Sequence, residues 1–119
     1  MRNILSFLLL LVISKTAYSQ DITGLWKSED GTRTYEIKNI NNEYTATLIK
    51  SARPNDKVGV LILEKVIYNP SKDQFAGTII STDDATAAYT KINFNNGILY
   101  FKIRRMFITS VKIRWLRVS

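Results

Sequence analysis

The chain has 119 residues and a formal net charge of +7, with 17 basic and 10 acidic residues and neither histidine nor cysteine. Those two absences exclude Ser-His-Asp and Cys-His nucleophilic machinery, disulfide staples and most transition-metal sites. No glycine-rich phosphate loop or dinucleotide fingerprint occurs either.

The first segment reads as a targeting signal. Arg2 supplies a positive start, residues 4–13 form an apolar run broken only by Ser6, and Ala17-Tyr18-Ser19 offers small residues at the positions a signal peptidase requires. The run is shorter than the ~18 residues of a transmembrane helix. Residues 1–19 are therefore expected to be a cleaved signal peptide, and residues 20–119 a single exported, soluble domain. Loss of Arg2 and Lys15 with the leader lowers the formal charge from +7 to +5. An exported domain without disulfides fits a bacterial periplasmic or secreted protein.

The rest contains no helical pattern, and eight short β-branched and aromatic runs alternate with turn clusters. Residues 24–28 end at Asp30-Gly31, which suits a hairpin turn. Residues 33–39 alternate, with Tyr35 and Ile37 on one side and Glu36 and Lys38 on the other. Asn41-Asn42 turns the chain into residues 43–51, where Tyr44, Ala46 and Leu48 share a face. Residues 52–59, with Pro54 and Gly59, form the longest loop. Residues 60–68 are nearly all apolar apart from Glu64-Lys65, and residues 69–73 are a strong turn signal.

Residues 74–81 follow, with Gly77 marking a bulge or a close backbone approach. The turn at Thr82-Asp83-Asp84 leads to residues 85–94, and Asn95-Asn96-Gly97 leads to residues 98–108. Thr109-Ser110 returns the chain through residues 111–118. Eight sequential strands with short connections predict an antiparallel up-and-down barrel, because closure removes both unpaired sheet edges. An open half-barrel or a two-sheet sandwich is the alternative.

The opening Gly24-Leu25-Trp26 resembles the calycin superfamily of lipocalins, fatty-acid-binding proteins and avidins. That resemblance implies that the tryptophan closes one barrel end and that a basic residue of the last strand, here Arg114 or Arg117, lies across its ring. More specifically, the domain resembles the bacterial secreted domain-of-unknown-function family 2147. The resemblance rests on Gly24-Leu25-Trp26, Asp30-Gly31, Tyr35-Glu36-Ile37, Tyr68-Asn69-Pro70, Gly77-Thr78-Ile79 and the closing Trp115-Leu116-Arg117-Val118. It implies a lipocalin-like barrel in the cell envelope, with Gly24, Trp26, Trp115 and Arg117 as its structural closure, and no established activity. The chain departs from the family in a shorter loop after the third strand and in lacking the cysteines some members carry there.

Candidate binding residues come from the last hairpin. If Thr109-Ser110 is a two-residue loop, Arg104 faces Trp115 and Lys102 faces Arg117, while Leu99, Phe101 and Ile103 share a side with Lys112 and Arg114. Neither side is then cleanly apolar, and Arg104 or Arg114 points into the barrel or its mouth. A buried arginine needs an anion, a carboxylate or several carbonyls there. An amphipathic ligand with an anionic headgroup meets that need, with Tyr35, Tyr44, Tyr89 and Tyr100 as hydroxyl partners. If the register differs by one residue, the same arginines reach outward instead.

Asp83-Asp84, two adjacent carboxylates, read as a solvated turn, and Glu64 as a solvent-facing or arginine-paired residue. The expectation is a non-enzymatic binder of a small apolar or amphipathic anionic ligand, without cofactor or metal, and with no nucleic-acid partner in an exported setting. The alternative is a packed barrel that contacts an anionic membrane, a polysaccharide or a protein through its basic C-terminal hairpin.

Overall fold

In the computed structural model, residues 21–105 and 109–119 are described. They form a closed barrel of eight antiparallel strands in up-and-down order. The strands are β1 (Gly24–Ser28), β2 (Arg33–Ile40), β3 (Glu43–Ser51), β4 (Leu61–Asn69), β5 (Gln74–Ile80), β6 (Ala87–Asn95), β7 (Ile98–Arg105) and β8 (Thr109–Arg117). The expected leader, residues 1–19, lies outside the described residues, as do residues 106–108.

Turn chemistry sets the meander. Asn41 and Asn42, with φ of 54° and 69°, form the two-residue link from Ile40 to Glu43. Asn96 and Gly97, with φ of 53° and 77°, do the same between Asn95 and Ile98. Both turns need positive φ at both positions, which asparagine and glycine tolerate, and their twist matches that of the strands. Closure brings the first and last strands together: Trp26 pairs with Arg117 and Ser28 with Trp115.

The interior follows from alternation. Trp26, Tyr35 and Ile37, Ala46 and Leu48, Phe75 and Ile79, Ile92, Leu99 and Phe101, and Trp115 are all buried. Strand β4 departs from strict alternation, since Ile62 and Leu63 are both buried. Its register with β5 shifts between Glu64 and Ile67, and Lys65 has φ 55°. A residue in the left-handed region at an extra position is a β-bulge, which sharpens local curvature. Opposite the bulge, a Cβ on Gly77 would stand 2.6 Å from Val66 Cγ2 and 2.8 Å from the Lys65 carbonyl. Gly77 thus marks both the bulge and the close approach. Glu64 is half-buried and pairs with Thr78. The one buried polar side chain among the described residues, Thr90, donates to the Lys102 carbonyl at 3.2 Å.

The last hairpin corrects the expected register. Arg104 pairs with Ser110 instead of Trp115, and Lys102 with Lys112 instead of Arg117. Strand β7 ends at Arg105 and β8 already starts at Thr109, so Thr109-Ser110 belongs to a strand. Moving the partner of Arg104 from Trp115 to Ser110 is an odd displacement, and side chains alternate with period two, so the faces exchange. Leu99, Phe101 and Ile103 now meet Trp115, Ile113 and Val111, a wholly apolar inner face. Burial of that face is favourable by roughly 25 cal/mol for each Å² removed from water. The other register would place Lys112 and Arg114 beside the apolar side chains of β7.

Candidate functional site: the open end of the barrel

The two ends of the barrel differ. At the end where β1 begins and β8 finishes, Trp26 is fully buried and donates its indole N–H to the Ile22 carbonyl at 2.9 Å. The guanidinium carbon of Arg117 lies 4.4 Å from the centre of the Trp26 ring and 5.4 Å from that of Phe94. Arg117 also donates to the carbonyls of Asp21 at 2.8 Å and Thr23 at 3.0 Å. Gly24 has φ 125°, and a Cβ there would collide with the Ser119 carbonyl oxygen. Of the two arginines offered for the plug, it is therefore Arg117 that covers the ring. Tyr44 packs edge-on against Phe75 at 5.3 Å, where burial raises its hydroxyl pKa.

The opposite end is open. A cavity of about 390 Å³ lies there, bordered by Arg33, Tyr35, Ile62, Ile79, Ala88, Ile103, Val111, Ile113 and Trp115, with Arg104 and the Ser81–Asp84 turn at its rim. That size falls at the lower end of small-molecule sites. Beneath it, the Tyr35 and Trp115 rings stack with centroids 3.9 Å apart and planes within 8°. Phe101 supports Trp115 from below at 4.6 Å. Trp115, expected in the barrel closure, pairs with Ser28 across the β1–β8 seam, and its inward ring forms this aromatic platform.

The arginine at the mouth is Arg33. Its side chain is only 13% exposed, and it makes a two-point ion pair with Asp56, Nε to Oδ2 at 2.7 Å and Nη2 to Oδ1 at 3.0 Å. Asp56 also accepts from the Ser51 hydroxyl at 2.6 Å. These two donors hold its carboxyl down to a pKa of about 2 against an ordinary 3.8, and the same pair raises that of Arg33. A second, weaker partner, Asp83, stands 3.5 Å from Nη2 with its side chain 80% exposed. Burial pushes the Tyr35 hydroxyl pKa up, and the neighbouring Arg33 charge partly opposes that shift.

Of the residues expected at a binding site, Tyr35 forms the cavity floor and Arg104 its rim. The other tyrosines lie elsewhere. Tyr44 is at the closed end, and Tyr89 and Tyr100 are 46% and 38% exposed on the outer wall. Arg114 also faces outward, paired with Glu29, but it borders a second cavity of about 380 Å³ that shares Arg33, Tyr35, Ile113 and Trp115 with the first. Arg33 was missed, although its signal was present: alternation places it on the same face as Tyr35 and Ile37. Its partner Asp56, in the loop between β3 and β4, could not be assigned from local pattern. Among the described residues no group of three or more Asp or Glu side chains is placed to hold a metal ion. Comparison of the chain with family models, with curated proteins and with solved structures finds no match.

Proposed function

We propose that the protein is a non-enzymatic binding module of the cell envelope, related to domain-of-unknown-function family 2147, that holds a small amphipathic ligand at the open end of its barrel. The observation that carries this reading is the asymmetry of the ends: one is plugged by Trp26 and Arg117, while the other has a cavity of about 390 Å³ above stacked aromatic rings. At ~30 Å³ per non-hydrogen atom, a ligand of roughly ten to fifteen such atoms fits. Its apolar part lies on Tyr35 and Trp115 among Ile62, Ile79 and Ile103.

Its polar end meets Arg33 and Arg104. Asp56 neutralises Arg33 from within the protein, so a bare buried charge is not what attracts the ligand. Asp83, by contrast, is an exposed and distant counter-ion, and ion pairs of that kind contribute little. A ligand carboxylate replaces Asp83 on the guanidinium while Asp56 stays in place.

The test is native mass spectrometry of protein purified from its own host, followed by calorimetric titration with a medium-chain alkyl carboxylate. The expected result is a single co-purifying small molecule and saturable one-to-one binding that Ala88→Phe abolishes by filling the cavity. Folded protein with a bare mass, and no saturable binding of any amphiphile, would overturn the proposal.

A further inference from the structure

The outer wall of β6, β7 and β8 carries charges that the fold itself does not need. Lys91 pairs directly with Lys102, and Lys102 directly with Lys112. Neighbouring strands lie about 4.8 Å apart, so three ammonium groups share a row about 10 Å long, within one Debye length. Like charges placed directly opposite one another destabilise a sheet. No ion pair of the described residues offsets them, although Glu29 pairs with the flanking Arg114, and the sequence from residue 85 to its end has seven basic residues and no acidic one. The ion pairs among the described residues involve Arg33, Arg53 and Arg114 and none of these lysines. On one side of the row lie Tyr89, Arg104 and Ser110, and on the other Asn93, Tyr100 and Arg114.

We infer that this wall is a docking surface for an anionic lipid bilayer. Charge complementarity gives the sign of the partner, and shape and side-chain chemistry give its kind. The face is the convex outside of a closed barrel. Tyr89 and Tyr100 stand exposed among the cations, and tyrosine suits the headgroup layer, with an apolar ring and a wet hydroxyl. The Tyr89 ring has the Arg104 guanidinium 6.0 Å from its centre, at the edge of cation–π range. Arg104 also borders the cavity, so docking on this wall brings the open mouth beside the headgroups. The inference does not depend on the cavity being occupied.

The experiment is co-sedimentation of the full chain with vesicles of mixed phosphatidylglycerol and phosphatidylcholine, against vesicles of phosphatidylcholine alone. Binding is expected to the anionic vesicles, with release as salt rises from about 0.05 to 0.5 M. The triple variant Lys91→Gln, Lys102→Gln, Lys112→Gln is expected to lose about a hundredfold in partitioning, since each basic residue near an anionic surface contributes on the order of 1 kcal/mol. Lys38→Gln, Lys50→Gln, Lys72→Gln removes the same charge from other outer positions and is expected to change partitioning only a fewfold. Residues 1–20 are identical in all variants, so the difference reads the wall alone.

The row variant stays folded and melts at the same or a higher temperature, because it removes directly opposed like charges. Equal binding to neutral and anionic vesicles, or equal loss in the two triple variants, would overturn the inference. So would binding to soluble heparin or single-stranded DNA without binding to anionic vesicles, which would make the partner a polymer.

Discussion

Arg33 and Asp56, 23 residues apart in sequence, form a two-point ion pair at the open end of the barrel with both side chains largely shielded from water. The pair ties the loop between β3 and β4 to the first residue of β2. It also leaves one side of the guanidinium turned to the cavity, where Asp83 reaches it only at 3.5 Å. The mouth is therefore fixed by one carboxylate and loosely covered by another.

The first consequence is a defined acid sensitivity. Asp56 has a folded pKa of about 2 and an ordinary value of 3.8, so the unfolded chain binds its proton first as pH falls. Its contribution to stability is complete above about pH 4 and is lost between about pH 4 and pH 2. Asp21, Glu29 and Asp30 are lowered too and add to the same loss. Urea midpoints measured across this range should fall with acid in the native protein and less steeply in Asp56→Asn. Parallel curves would show that the pair does not form in solution.

The two carboxylates at the mouth should act differently on ligand binding. Asp83→Asn removes the competitor for Arg33 and should tighten an alkyl carboxylate about two- to fivefold, the scale of an exposed ion pair. Arg104→Ala should weaken the same ligand while leaving the corresponding alcohol unaffected. Calorimetry with the carboxylate and the alcohol separates charge recognition from apolar burial.

The plugged end makes a stability prediction. Trp26→Ala should cost about 3–5 kcal/mol, because a fully buried indole is replaced by a void. Arg117→Ala should cost less, about 0.5–2 kcal/mol, for the lost ring contact. Chemical denaturation checks both, and a change within about 0.5 kcal/mol for Trp26→Ala would contradict the plug.

Gly77→Ala should destabilise by about 1–3 kcal/mol, since its new methyl group overlaps the bulge of β4. Val66→Ala removes the side-chain part of the clash but not the Val66 Cα at 2.7 Å or the Lys65 carbonyl at 2.8 Å. The double variant should therefore remain less stable than Val66→Ala alone. Full recovery would place the obstruction in the side chain and not in the backbone.

Local sequence determined much of this protein. Alternation, β-branched runs and turn residues such as Asn41-Asn42 and Asn96-Gly97 marked eight strands, and the cost of free edges favoured their closure. The resemblance carried by Gly24-Leu25-Trp26 implied the plug and offered Arg114 or Arg117 for it, and tertiary structure chose Arg117. Tertiary structure decided what local periodicity leaves open. The β7–β8 register depends on which faces find apolar partners across the whole barrel. It turned Arg104 and Arg114 to the outer wall and left Trp115 beneath the cavity. The ion pair of Arg33 with Asp56 depends on the path of a loop that carries no periodic signal. Period-two alternation tells which residues share a face, but only long-range packing tells which face is inside and what meets it there.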